Sequence, residues 1–184
     1  RAGAENSTIE QAGGGGLRRS FRRPKGQLSL AWEASDVLDV NMKLQRKVGQ
    51  LDFYDFLASV DLADDQVNAG NPDLVPPQLW VLEVEAIRDL GNWGSTSVRA
   101  YAQRIDDIVD TVPIGATGEG PGNIDNARVH GIDWKSSLRL DPIGWKGARL
   151  DTRMVMQRTS VRDPLTGEER PISNYLEEFA EVSL

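Results

Sequence analysis

From Leu38 onward, apolar and polar residues alternate one by one: Leu38, Val40, Met42 and Leu44 take one parity, Asp39, Asn41, Lys43 and Gln45 the other. Successive side chains of an extended chain point to opposite faces, so this register predicts a strand with one apolar and one wet side. The same rhythm returns where Ile132, Trp134, Leu138 and Leu140 alternate with Asp133, Lys135, Ser137 and Arg139, and where Leu150, Met154 and Met156 alternate with Asp151, Arg153 and Gln157. Helical spacing fits these windows less well. Fainter versions occur at Leu28, Leu30 and Trp32, at Trp80, Leu82, Val84 and Ala86 against Glu83 and Glu85, and across Thr96 to Ile105. Tyr175 to Leu184 alternates too, although Asn174 followed by two glutamates equally suits the start of a short helix. Together these windows predict about seven strands, near residues 26–34, 37–48, 78–88, 95–106, 127–141, 147–162 and 174–184.

The connections alternate in length. Short ones rich in turn formers lie at Glu33 to Asp36, at Asp89 to Gly94 with Gly91-Asn92, and at Asp141 to Gly147 with Pro142, Gly144 and Gly147. Between them run long segments, Gly49 to Pro77 and Asp107 to Asn126, and a moderate one, Asp163 to Ser173. Loops beyond about 12–15 residues are uncommon in compact soluble domains. Short turns at one end and long loops at the other are what a barrel spanning an outer membrane has. The expected fold is therefore all-β, an antiparallel up-and-down meander forming part of a larger transmembrane barrel. Trp32, Trp93 and Trp145 fall at or beside the short turns, where an interfacial aromatic girdle would sit, and Trp80 near the opposite rim. Ordinary core aromatics would give the same spacing.

Composition narrows the partners. The chain carries 21 Lys and Arg against 28 Asp and Glu, a net charge of -7, which argues against a general nucleic-acid binder. Arg18, Arg19, Arg22, Arg23 and Lys25 form a local basic run, read as a solvated face. With no cysteine, neither a disulfide framework nor a thiolate metal site is available. No apolar run approaches the roughly 20 residues of a membrane-spanning helix. Barrel strands escape that criterion, because only every second residue is apolar. The chain opens at Arg1 and stops inside the patterned stretch Tyr175 to Leu184, as expected of a fragment or processed product.

Several pieces resemble a known family. Ala69-Gly70-Asn71-Pro72-Asp73-Leu74-Val75-Pro76-Pro77-Gln78, ahead of Trp80, Glu83 and Glu85, resembles the Asn-Pro-x-Leu-x-Pro lead into a barrel strand of TonB-dependent receptors. Tyr101 to Val109 resembles that family's strand exit, Asn123 to Gly131 with Ile132-Asp133 its next strand lead-in, and Arg162-Asp163-Pro164-Leu165-Thr166-Gly167-Glu168 a later loop. The four pieces keep the family's order and span about Leu28 to Ser173. The resemblance implies an outer-membrane transporter with a large antiparallel barrel, a plug domain inside it, and energy delivered by TonB. The implied cargo is a scarce large nutrient such as a ferric siderophore, cobalamin or a glycan. Neither a plug domain nor a TonB box is legible here, and seven strands are too few to enclose a plugged lumen, for which 22 are typical.

Candidate chemistry is sparse, and no catalytic, cofactor-binding or metal-ligating residue is assigned; which residues bind substrate is left unknown. His130, the single histidine, sits in Arg128-Val129-His130-Gly131 without a nucleophile motif and is read as structural or exposed. Gly118, Gly120 and Gly122 imitate part of a dinucleotide fingerprint but hold Pro121 and open no helix, and Gly13 to Gly16 is read as a flexible hinge or disordered loop. Acidic residues gather at Asp61, Asp64 and Asp65 and at Asp106, Asp107 and Asp110, without the spacing of an EF-hand. Glu83 and Glu85 share a face and mimic a glycosidase pair, but a lumen-facing charge ladder with Arg104 or Lys135 is the simpler expectation.

The domain expectation is a flexible loop and strand lead-in over residues 1–25 and a barrel segment of a TonB-dependent receptor over 26–184. The function expected is nutrient transport in the bacterial outer membrane, not enzymatic. Its partners would be the TonB complex acting through a plug domain, a nutrient ligand and membrane lipid, with no nucleic acid. An isolated piece, with open edges and an uncovered apolar face, is expected to self-associate. The competing expectation is a soluble β-sandwich or adhesin-like module whose apolar faces pack on each other.

Overall fold

A computed structural model describes residues 2–10, 18–51, 59–61, 66–68, 71, 73–114 and 118–184. The strands are β1 (Ala2–Glu10), β2 (Arg18–Ser35), β3 (Leu38–Val48), β4 (Ser59–Asp61), β5 (Gln66–Asn68), β6 (Gln78–Asp89), β7 (Gly94–Ile114), β8 (Gly118–Arg139), β9 (Arg149–Arg162), β10 (Glu169–Arg170) and β11 (Glu178–Ser183). All belong to one 11-stranded sheet. Its body is the antiparallel meander β2-β3-β6-β7-β8-β9-β11, in which each expected strand has its counterpart. The last is a strand rather than a helix, but a short one, and Asn174 ahead of it takes a left-handed φ of 56°.

Three stretches differ from expectation. Residues 1–25 were expected as a flexible loop and lead-in; instead β1 pairs with the first half of β2, from Ala2 opposite Gly26 to Glu10 opposite Arg18. Gly13 to Gly16 lie outside the described residues. Asp107 to Asn126 was expected as a loop, but β7 and β8 continue past their neighbours as a two-stranded ribbon, from Ile108 opposite Ile124 to Ile114 opposite Gly118. β-Branched Ile108, Val109, Thr111 and Val112 favour the extended backbone. Gly122 is required there because a Cβ would lie 2.2 Å from the Val112 side chain. Within Gly49 to Pro77, β4 and β5 form a small hairpin and β5 touches β8 in parallel, Asn68 opposite Glu119. Leu74 and Pro76 are buried, so part of this connection is packed down.

The short connections are tight. Asp89 accepts the Gly91 N–H at 2.7 Å, and Asp141 accepts the Gly147 N–H at 3.0 Å, side-chain contacts that close turns on their own backbone. Each contains a single 3₁₀ turn, Gly91–Trp93 and Asp141–Ile143.

The pairing registers sort the alternating residues into two faces. One carries Leu28, Leu30 and Trp32 of β2, Val40, Met42 and Leu44 of β3, Leu82, Val84 and Ala86 of β6, Val98, Ala100 and Ala102 of β7, Ile132 and Trp134 of β8, and Met154 and Met156 of β9. Most of its large hydrophobics are exposed, Leu28 at 71% and Ile132 at 49%, while Val40, Val84, Trp134 and Met154 are half-buried. The opposite, mostly polar face holds the best-buried residues, with Val81, Ala127, Val129 and Val161 each at 1%. There Ile105, Ile108, Ile124 and Ile172 complete a core toward the long-loop end. Soluble sheets bury their apolar face, and this one does the reverse.

The apolar band is also staggered. Ala180, the first outward apolar residue of β11, shares a lateral row with Met154, Trp134, Val98, Ala86 and Val40. On β3 the band already begins four positions earlier along that parity, at Leu44. The edge keeps one row across β2, β3, β6 and β7, at Leu28, Leu44, Leu82 and Ala102, and steps inward on β8 and β9, at Ile132 and Met156.

Candidate functional site

The polar face is organised around a lateral row of alternating charge. Lys43 of β3 pairs with Glu83 of β6; Arg99 of β7 lies 3.9 Å from Glu83 and 2.7 Å from Asp133 of β8; Arg153 of β9 closes the row at 3.1 Å from Asp133. The expected ladder through Glu83 therefore exists, with partners other than those proposed. Arg104 projects on the apolar parity and bonds Asp106 at 3.1 Å, while Lys135 sits one pair nearer the short turns, opposite Ser97 and Arg153. Asp133 is the pivot, with its carboxylate 1% exposed and bonded by Arg99 and twice by Arg153.

Beside that row, Tyr101 donates to the Gln157 side-chain oxygen, and the Gln157 amide donates to the Leu176 carbonyl. The segment Tyr175–Leu176 is thereby tied to the polar face. Gly131 lies between Tyr101 and Gln157 in the ladder; a Cβ there would meet the Gln157 Cβ at 2.6 Å and the Tyr101 hydroxyl at 2.8 Å. Glycine is what lets the tyrosine reach across. Glu83, Arg99, Tyr101, Asp133, Arg153 and Gln157 line one shallow depression, a surface suited to polar contacts.

Nearer the long loops, Arg170 links two elements, bonding Asp110 of the ribbon and Asp163 of the loop after β9, each at 2.9 Å. Asn123 clamps the segment ahead of β6: it accepts the Val75 N–H at 2.8 Å and donates to the carbonyls of Val75 at 2.9 Å and Asp107 at 2.7 Å. Asn71 donates to the Pro121 carbonyl at 3.1 Å. The cluster Asp106, Asp107 and Asp110 is thus dispersed, each acid being answered by a different arginine, Arg104, Arg23 and Arg170. Asp64 and Asp65 lie outside the described residues.

These contacts set a pH dependence. Burial pushes the Asp110 carboxyl up, but hydrogen bonds from Ser173, the Thr111 N–H and Arg170 outweigh it and hold it below the usual carboxylate range. Asp163 is held low by the Thr166 N–H, Arg170 and the Leu165 N–H. Both folded values lie below the unfolded one of about 3.9. Their stabilisation is therefore complete above that value and lost as pH falls through the lower, folded values. Hydrogen exchange, corrected for intrinsic rate, is expected to show Gly167 and Ile172 losing protection as pH falls below the usual carboxylate range while the β8–β9 ladder keeps its own. Loop protection that falls only together with that of the β8–β9 ladder on acidification would contradict this assignment.

His130 is exposed on the apolar parity, between Ala102 and Arg158. Gly118, Gly120 and Gly122 lie in β8 and open no helix. Among the described residues no group of three or more His, Cys, Asp or Glu is gathered to hold a metal ion. Arg22, Arg23 and Lys25 fall on β2, opposite Asn6, Glu5 and Gly3 of β1. The contribution of residues 171–177 to the polar face was missed; the one signal was Asn174, a residue tolerant of left-handed backbone.

No protein-family model matches the chain. A 67-residue stretch is 37% identical to the vitamin B12 transporter BtuB of Vibrio vulnificus (strain YJ016), covering 36% of this chain and 11% of that protein. The chain thus aligns with about a ninth of that relative's length.

Proposed function

We propose that this chain is a wall segment of the β-barrel of a TonB-dependent transporter in a bacterial outer membrane. The apolar face meets lipid, and the polar face lines the lumen or meets a plug domain. The carrying observation is the inversion of burial across one staggered sheet, exposed Leu28, Met42, Leu82, Ile132 and Met156 on one side and buried Val81, Val129 and Asp133 on the other. Strand lengths support the same reading: β3 has 11 residues and β6 has 12, against the 9–11 that a tilted strand needs to cross a bilayer. The reading asks no chemistry of these residues. TonB would act through the plug, and the long-loop end would help capture the cargo. Among scarce large nutrients, cobalamin has the support of the similarity to a vitamin B12 transporter. A soluble sandwich would need a second sheet over the apolar face, and among the described residues the sheet is single.

Expression with native flanking sequence, followed by fractionation and gel migration with and without boiling, tests the proposal. Recovery in the outer membrane with a migration shift on boiling is the expected result. A soluble product without the shift would overturn it.

A further inference from the structure

Although the chain carries a net charge of -7, the long-loop border of its apolar face is basic. Arg46 of β3, Trp80 of β6, Arg104 of β7 and Arg128 of β8 occupy one lateral row, and Arg158 of β9 stands one pair inward beside His130. The corresponding row at the short-turn border reads Leu38, Arg88, Thr96, Ser136 and Thr152, with a single cation. Arginines bordering an apolar band commonly extend toward water, but that habit applies equally to both borders and leaves the asymmetry unexplained.

The pairing within the row adds a second observation. Arg104 and Arg128 are directly opposed across two strands, where like charges destabilise. Arg104 turns along its own strand to Asp106. Arg128 is exposed, and no ion pair or hydrogen bond holds it among the described residues. Arg46 lies 5.4 Å from the Trp80 ring and bonds Gln78 at 2.6 Å, while its shielded Nε has no partner. Arg158 bonds Glu177 and Glu178 yet stays 59% exposed. The row therefore presents more guanidinium donors than its own acids satisfy.

We propose that Arg46, Arg104, Arg128 and Arg158, with Trp80 among them, form a docking surface for anionic phosphate headgroups of lipid in the leaflet facing the long loops. The proposal rests on the barrel reading, which puts this border at the membrane surface. Opposed guanidiniums a strand spacing apart match a phosphate with several acceptor oxygens, and the indole suits the interfacial region beside it. The anion relieves the repulsion between Arg104 and Arg128, which Asp106 answers on the Arg104 side alone.

The test inserts the protein, with its native flanking sequence, into phosphatidylcholine vesicles with and without phosphatidic acid of the same acyl chains. Quenching of tryptophan fluorescence by brominated-chain lipid then gives the relative association constant of the two lipids. The expected result is a preference for phosphatidic acid that falls about fivefold in Arg128→Gln, disappears in Arg104→Gln with Arg128→Gln, and is unchanged in Arg88→Gln at the other border. Heat-modifiable migration checks insertion of each variant. An inserted protein with equal affinity for both lipids, or a preference that the double variant keeps, overturns the docking surface and leaves the barrel standing. Failure of the unmodified protein to insert overturns the barrel reading, and the docking surface with it.

Discussion

Ile132→Arg is expected to lower the stability of the inserted protein by about 2–4 kcal/mol, the cost of an arginine on the lipid face near the bilayer midplane. Ile132 lies between Ala100 and Met156 in the middle of the apolar band. On a sheet in water the same change would cost little, because Ile132 is 49% exposed and surface substitutions usually stay within about 0.5 kcal/mol. The two environments thus predict different results from one variant. The measurement is the denaturant midpoint of the vesicle-inserted protein, with Ala31→Arg, exposed on the polar face of β2 opposite Asn41, as the companion, expected to be nearly neutral. A neutral Ile132→Arg would mean that this face does not meet hydrocarbon.

Asp133→Ala is the second large effect. The carboxylate accepts from two arginines and is almost fully enclosed, although the guanidiniums themselves are 35% and 44% exposed. Removing an acceptor from charged donors costs about 1.5–3 kcal/mol when those donors can still reach water. Losing one member of a fully buried pair would cost about 3–5 kcal/mol. The exposure of Arg99 and Arg153 places the expectation at the lower range, about 2–3 kcal/mol. Arg99 retains Glu83, and Arg153 retains its stacking on Phe179, 5.8 Å from the ring centroid. Asp133→Asn, which preserves the shape and one acceptor, is expected to lose about half as much. A midpoint unchanged by Asp133→Ala would show that the row is held by its flanking backbone and not by its charges.

The chain discloses its strands more readily than their relations. Alternation at Leu38 to Gln45 identifies two faces because a strand's side chains obey period two whatever lies beside it. Which parity of β6 shares a face with which parity of β7 depends on register, and register depends on turn geometry. That is why Glu83 was matched to Arg104, which projects on the other face, when Arg99 was the residue within reach. The ribbon beyond Asp106 was hidden differently. Gly118, Gly120, Pro121 and Gly122 fall in what reads as a long loop, yet Gly122 is demanded by the approach of Val112 within a paired ribbon, and proline is tolerated at the edge of a sheet. Leu74 and Pro76 looked like loop residues because the clamp on their segment is remote: Asn123 holds the Val75 backbone between them from 48 positions away in sequence. Nothing local signals a contact of that span.

Each strand of the meander takes its main partners from the strands nearest to it along the sheet path, with the turns after β2, β6 and β8 at one end. A sheet so connected can be assembled hairpin by hairpin, each addition closing a loop within a limited stretch of sequence rather than bridging the whole polypeptide. The same economy applies to inheritance: copying or deleting one hairpin changes the circumference of such a wall by two strands while leaving every remaining register intact. In that sense the hairpin is the unit of construction, and the apolar band runs from each hairpin to the next across the shared registers.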